Sequence, residues 1–443
     1  LKKNEGNADM IRRIEGYRFQ LVVLLLLALL AGGCGISGNG ASNEAGEIAT
    51  ADMPDRTVHV FNFKVEMAEQ LNALAKQYEK ETGVRISIDT CGGGCDYSAA
   101  LKTRFNSGDK PDLFFVAGYT DLDLWQEYLE DLSDQPWVRD LVDLTKPGIM
   151  ADGKVYGMPL VVEGWGFIYN KELFRKAGIV HLPTTLAELR EAAMKLRAAG
   201  IQPFENGYAE WWIIGNHLLN LAFAAQPNPF DFVEEVKSGH AKLTDNSILK
   251  QWTNLVDLTV EYGQPNSLQT DYNTQMANFA AGRAAMMQQG IWTQLQLDKM
   301  NPNLDIGFLP MPINNDASAM DKLQVGVPNY WVIYKNSGVI EESKAFLNWI
   351  ATSAEGRQFF VDAKLIPPFR SMPIRQGELG SLADDVMKYL KAGKTLPWMW
   401  QRYPGYEANT SQMAVQIQAY IGKQMNKERM LQEFQRIWDE FSS

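Results

Sequence analysis

The sequence predicts an α/β protein of two lobes, each a central, mostly parallel sheet flanked by helices. Three observations carry this. The stretch from Thr57 to Val116 alternates strand, helix, strand, helix, strand, an order that right-handed crossovers turn into a parallel sheet. The alternation starts afresh at Gly164. With the first 33 residues set aside as a leader, about 410 of the 443 remain, more than one hydrophobic core usually serves.

The first strand is Thr57-Val-His-Val-Phe-Asn-Phe63, alternating and β-branched or aromatic. Met67, Leu71, Leu74, Ala75 and Tyr78 then recur at helical spacing until Gly83. Val84 to Asp89 is the second strand, Tyr97 to Asn106 a helix, and Asp112 to Val116 the third strand. In such sheets ligands sit beyond the carboxyl ends of the strands, here Asn62-Phe63, Asp89 to Asp96, and Ala117 to Asp121. The second block opens with a strand from Gly164 to Tyr169 and a short helix from Asn170. Thr185 stands three residues before Glu188, a capping box that leads a helix to Gly200. Helices follow over Ile213 to Ala225, Ile248 to Tyr262 and Tyr272 to Gly282, then a short strand from Ala284 that ends at Gly290-Ile-Trp292. Strands at Asp305 to Pro310 and Tyr330 to Tyr334 precede a helix from Glu341 to Ile350. Thr352 and Glu355 form a second capping box, and Ser411 to Phe441 makes one or two amphipathic helices.

The apolar run Leu21 to Ala31 follows Arg12, Arg13 and Arg18 and ends in Ala31-Gly32-Gly33-Cys34. It is about 11 residues long, against about 20 for a membrane-spanning helix, so it reads as a signal peptide. Small residues directly before Cys34 suit a thiol that is lipidated and left as the new N-terminus. Simple secretion with an incidental cysteine is the alternative. Leu1 to Asp9, before Met10, are polar and add nothing to a signal. Gly35 to Asp55 is rich in Gly, Ser, Asn, Ala and Glu and reads as a flexible tether.

The formal charge of −11 becomes about −13 once the net-basic leader is removed, a surface that repels nucleic acid. Aromatics make up 11% of the chain, with 12 Trp against 4 His and 3 Cys, a balance that favours ring stacking on something neutral over metal or acid–base chemistry. Cys91 and Cys95 flank three glycines that allow a disulfide to close outside the cytoplasm. Two further ligands for zinc are missing nearby, and the glycine run lacks the Lys-Ser/Thr ending of a phosphate loop. No cofactor is expected.

Several segments together resemble the extracellular solute-binding proteins of carbohydrate ABC transporters, the family that includes maltodextrin-binding protein. They are Tyr78-Glu-Lys-Glu-Thr-Gly-Val84, Gly108-Asp-Lys-Pro-Asp-Leu-Phe114, Gly157-Met-Pro-Leu160 with Gly166-Phe-Ile-Tyr-Asn-Lys-Glu-Leu-Phe174, and Phe279-Ala-Ala-Gly-Arg-Ala-Ala-Met286 leading to Gly290-Ile-Trp292. Gly92-Gly-Gly94 with Asp96-Tyr97, and Tyr128 to Trp137, are similar to the subgroup serving raffinose, melibiose and fructo-oligosaccharides. Met10 to Cys34 resembles the bacterial lipoprotein signal, with Ala31 where Leu is usual. The resemblance implies a two-lobed, type II periplasmic-binding-protein-like fold crossed three times, near 161–164, 308–311 and 367–372. Lobe 1 is then 56–163 plus 311–367 and lobe 2 is 164–310 plus 368–443. It also implies hinge closure on a sugar, release into two membrane-spanning permease subunits served by a cytoplasmic ATPase, and a monomer lipid-anchored to the outer face of the cell membrane.

A pyranose has apolar C–H faces and a polar rim, so it calls for aromatic plates and short carboxylates or amides. Phe63, Tyr119 and Asp121 follow strand ends. Tyr208, Trp211, Trp212 and the run Trp398, Trp400, Arg402 lie in turns or after strands. If one of the adjacent Trp211 and Trp212 faces the cleft, the other packs. The resemblance marks Trp292, in the Gly-x-Trp motif, and the Trp398 region as stacking plates, and Glu163 as a hinge carboxylate. Asn329 and Tyr330 are further candidates, with loop packing as the alternative. Tyr119 and Thr120 stand where maltodextrin-binding protein has other side chains, which argues against maltodextrin as ligand.

Two other classes fit parts of this pattern. A glycoside hydrolase would use the same plates with two carboxylates, Glu163 and Asp121, about 5 to 9 Å apart. A non-transport glycan-binding or sensor lipoprotein would share the aromatic cleft. A polyamine would suit Asp121, Glu163 and Glu210, whereas glycerol phosphate would want more basic groups than Arg402. No Gly-x-Ser-x-Gly elbow and no His cluster is present in the sequence, which argues against serine-hydrolase and metal chemistry.

Overall fold

The computed structural model describes residues 56–92 and 95–442, so the expected signal peptide, tether and lipidated Cys34 lie outside the described residues. The chain opens with β1 (Thr57–Asn62), β2 (Arg85–Thr90) and β3 (Leu113–Val116), followed by the small pair β4 (Met150–Ala151) and β5 (Lys154–Val155), and β6 (Met158–Pro159). It continues with β7 (Glu163–Asn170), β8 (Gln202–Glu205), β9 (Ala284–Gly290), β10 (Ile306–Leu309) and β11 (Leu323–Gly326), then β12 (Tyr330–Ile333) and β13 (Thr395–Leu396).

Two main sheets result. The first runs β2-β1-β3-β12-β6 and the second β13-β11-β7-β9-β8, with β10 also on β7. Helices flank both sheets, and the α/β two-lobed class is as expected. The sheets are mixed, however. β1 is parallel to β2 and β3, β8 to β9, and β11 to β13, while β7 is antiparallel to β9, β10 and β11, and β12 to β3 and β6. The reason is the path of the chain. Strands joined by a helical crossover within a lobe run parallel. A strand that enters from the hinge starts at the end where its neighbours finish, so β7 and β12 run backwards.

The first crossing lies between β6 and β7. The second is not at the expected 308–311: β11 pairs with β7 in the second sheet, so residues 311–326 stay with the second lobe, and the chain crosses at 327–329. Met311, Ile313 and Met320 accordingly sit in the core that holds Trp165 and Phe167. The third crossing also comes later. Phe369 and Met372 belong to the first lobe's core and Leu379 to the cluster below β7 and β10.

Local signals held at most element ends. Thr185 and Glu188 form the expected capping box on the helix Leu186–Ala198. The second box does not form. Thr352 closes the preceding helix by donating to Asn348 O, and Ser353 caps Ala354–Asp362 by accepting from Gly356 N. The predicted helix over Ile213 to Ala225 begins as a π-helical turn, Ile213–Leu218, before the α-helix Leu219–Ala224. Cys91 and Cys95 are joined as a disulfide, their Cα atoms 5.5 Å apart. Among the described residues no helix is long and apolar enough to cross a membrane.

Candidate functional site

The site forms where the carboxyl ends of the first sheet face β7 and β9 of the second. At the end of β1, Asn62 is fully buried and braces the turn that follows. Its Nδ2 donates to Lys64 O and to Thr90 Oγ1, each at 3.1 Å, and its Oδ1 accepts from Lys64 N at 3.0 Å. This aims the Lys64 ammonium at Glu163, the first residue of β7, 2.8 Å away, with Glu66 at 3.1 Å. Burial pulls the Lys64 pKa down, but the two carboxylates outweigh it and raise it above the ordinary lysine value. The ion pair thus joins the first lobe to the strand that begins the second.

Across from it the second lobe presents a continuous aromatic wall. Tyr272 and Trp212 lie 5.9 Å apart between ring centroids, Trp212 and Trp292 6.4 Å, and His217 packs 5.1 Å from Trp292 and 4.8 Å from Trp165. The wall continues from Trp165 to Trp398, Trp400 and Tyr406 at 6.3, 5.6 and 5.2 Å. Its plates are fixed from behind. The Trp292 ring lies over Gly290, where a Cβ would come within 2.0 Å of it, and Trp398 lies over Gly326, where a Cβ would come within 2.7 Å. Trp292 Nε1 donates to Gln289 and Trp212 Nε1 to Glu210, both at 3.2 Å. The indole N–H groups of Trp165, Trp398 and Trp400 are buried without a protein partner. Lys64 faces the wall, its ammonium 5.8 Å from the Trp292 ring and 5.6 Å from that of Phe63. Tyr272 has its pKa raised by burial and by Glu66 and Glu163 opposite.

A second cross-lobe contact lies at the Trp400 end. Gln401 Nε2 lies within hydrogen-bonding distance of the carbonyls of Ala117, Val327 and Pro328, at 2.7 to 3.1 Å, and Thr120 Oγ1 donates to Gln401 O at 2.9 Å. The Arg402 guanidinium lies 4.0 Å from the Tyr119 ring and 4.7 Å from that of Phe230.

Of the side chains singled out in the sequence, Phe63, Glu163, Trp212, Trp292, Trp398 and Trp400 come together here. The others do not. Tyr208 is in the second lobe's core, its hydroxyl 2.7 Å from Thr259 Oγ1. Tyr330 is buried beneath Gly118 and Gly148, where a Cβ would meet its ring or hydroxyl. Asp121 turns back on its own loop, accepting from Ala117 N at 2.8 Å, and burial pushes its pKa up to about 6. Asn329 contributes a backbone carbonyl to Leu160 N. Tyr119 and Arg402 hold each other, and Trp211 packs half-buried against the second lobe's core. The sequence reading missed Lys64, Trp165, His217 and Tyr272. Lys64 directly follows Phe63, a strand-end position already singled out, whereas Trp165 lies in a wholly buried strand that reads as core. Among the described residues no group of His, Cys, Asp and Glu is placed to hold a metal ion.

The sequence profile of the bacterial extracellular solute-binding proteins matches residues 64–357. A multiple sugar-binding protein of Streptococcus mutans is 24% identical over 313 residues, covering 69% of this chain and 73% of that protein. The melibiose/raffinose/stachyose-binding protein MelE of Bacillus subtilis is 23% identical over 354 residues, covering 76% and 78%. Among solved structures, the solute-binding protein RafE in complex with raffinose superposes with a TM-score of 0.76 at 20% identity, covering 87% of this chain and all of that one. At that identity the likeness establishes the fold.

Proposed function

The chain belongs to the bacterial extracellular solute-binding protein family, and from that premise we propose that it captures an oligosaccharide between its lobes and delivers it to an ABC importer. The observation that carries this is the aromatic wall of the second lobe facing the Lys64–Glu163 pair. Flat indoles suit the C–H faces of pyranoses, and the row is longer than one ring needs. The names of the relatives, raffinose and melibiose among them, point to the same ligand class. The importer would comprise two permease subunits and a cytoplasmic ATPase, and lipidation at Cys34 would hold the protein at the outer face of the membrane. Glu163 and Asp121 are read as structural carboxylates, one ion-paired with Lys64 and the other accepting from its own loop.

Calorimetry against raffinose, melibiose, fructo-oligosaccharides, xylo-oligosaccharides and maltotriose tests the reading. The expected result is a dissociation constant of about 1 μM, roughly 8 kcal/mol, for one of them. Heat from none of these, with folded protein, would overturn it. So would hydrolysis of the sugar that disappears with Glu163→Gln.

A further inference from the structure

Behind the aromatic wall the second lobe carries polar side chains that its own fold leaves without partners. The π-helical turn Ile213–Leu218 shifts the helical register, a geometry frequent at functional sites, and it holds Asn216 and His217, each 7% exposed. Trp165 stacks on the His217 ring at 27°, and Trp212 and Trp292 close around it at 5.3 and 5.1 Å. Inside this ring of indoles His217 Nδ1 is buried and unpartnered, and so is Oδ1 of its chain neighbour Asn216. Gln288, 2% exposed on β9, is unpartnered at both its amide atoms. In the register of β7 with β9, Gln288 stands opposite Phe167 and Gly290 opposite Trp165. Side chains alternate along a strand, so Gln288 shares a face with Trp165 and with the glycine under Trp292. A buried polar group without a partner is costly, because it has given up its hydrogen bonds to water and gained none in return. Apolar residues of the same shape would remove that cost, so a partner from outside the chain is the economical explanation.

We propose that His217 and Gln288 form the polar seat of a sugar ring held against Trp165 and Trp292. The inference rests on the oligosaccharide reading and adds two specificity-determining residues to it. A neutral imidazole offers one donor and one acceptor, and an amide offers both, so together they match adjacent hydroxyls, each of which gives and takes a hydrogen bond. Burial, with the Lys64 charge nearby, pushes the His217 pKa down to about 3. The imidazole therefore stays uncharged, and the charge that acts on it is Lys64, itself paired with Glu163 and Glu66. With two carboxylates on one ammonium, the cluster disfavours a uronate or phosphorylated sugar and leaves neutral units as the ligand class.

The calorimetric panel first identifies the sugar. Heat from none of its members would overturn the oligosaccharide reading, and this seat with it. With the sugar that binds the wild type most tightly, His217→Phe keeps the ring stacked on Trp165 but removes both nitrogens, and it should weaken binding about tenfold or more. His217→Gln should recover part of that loss, and Gln288→Met should weaken binding similarly. In the wild-type protein labelled with ¹⁵N-histidine, the His217 ring resonances should shift when the sugar is added. A binding wild type in which those resonances do not move, or folded His217→Phe and Gln288→Met variants that keep affinity within about twofold, would overturn the seat and leave the oligosaccharide reading standing.

Discussion

Lys64 holds its ammonium between Glu66 and Glu163, and Glu163 is only 2% exposed. Lys64→Met would strand a buried carboxylate, a change that typically costs about 3–5 kcal/mol, and adding Glu163→Gln should return most of it. Chemical denaturation of the two variants checks this. Trp292→Ala should abolish sugar binding in calorimetry and lower Tm clearly as well, because the ring is only 9% exposed and is part of the second lobe's core. Tyr208→Phe should affect stability alone, losing about 1 kcal/mol from the hydroxyl contact with Thr259 and leaving affinity unchanged. Two buried groups give opposite pH signatures. His217, lowered to about 3 from 6.5, contributes stability that is full above 6.5 and is lost as pH falls toward 3. Asp121, raised to about 6 from 3.8, contributes stability that is full below 3.8 and is lost as pH rises through 6. Each arm has a slope on the order of 1.4 kcal/mol per pH unit, so between pH 3.8 and 6 they largely cancel. Relative to wild type, Asp121→Asn should gain stability as pH rises across that window and His217→Gln should lose it, as Tm against pH will show. Trp292 and Glu163 could be singled out because the family resemblance marks each, one in the Gly-x-Trp motif and the other as a hinge carboxylate. Lys64 and His217 could not, since what singles them out is the neighbour that folding brings to them from far along the chain.

Element ends were easier to read than element partners. The Thr185 box formed because both its members are local, and Thr185→Ala should cost about 1 kcal/mol. At the later site two hydroxyls compete within two residues, and the one that ended up outside the preceding helix became the cap. Ser353→Ala should therefore cost about 1 kcal/mol and Thr352→Ala distinctly less, measured by denaturation. The π-helical turn was invisible because its residues have the same apolar run as an ordinary helix, and only packing against the helix Tyr406–Ile421 distinguishes it. Gly215 there faces Thr410 O, 2.5 Å from where a Cβ would stand. At the end of β9, Gly290 has φ −121°, which any residue tolerates, so Gly290→Ala should act only by pushing the Trp292 ring out of place. Its expected signature is weaker sugar binding with an intact sheet by circular dichroism.

For the whole molecule, the two-lobe division followed from length and from the restarted alternation of strands and helices. Strand direction and the later crossings did not follow, because a crossing has no local signature: 327–329 and the stretch after Met372 are ordinary loop residues whose role is set by which sheet the next strand joins. Gln401 ties the two lobes at the hinge through three backbone carbonyls. Gln401→Ala should widen the distribution of interlobe angles, seen as a larger radius of gyration in solution scattering without sugar, and addition of a bound sugar should narrow it.

The rings of the wall all stand on one lobe, and the charged side chain that faces them comes from the other. On the proposed capture of a sugar, arrival and enclosure would then be separate events in time. A solute would settle on the indoles while the first lobe is swung away, in a loose complex that forms and dissolves quickly. Commitment would come when Lys64 and Phe63 reach the occupied wall. Residence time, more than speed of encounter, is then the quantity that the second half of the molecule controls.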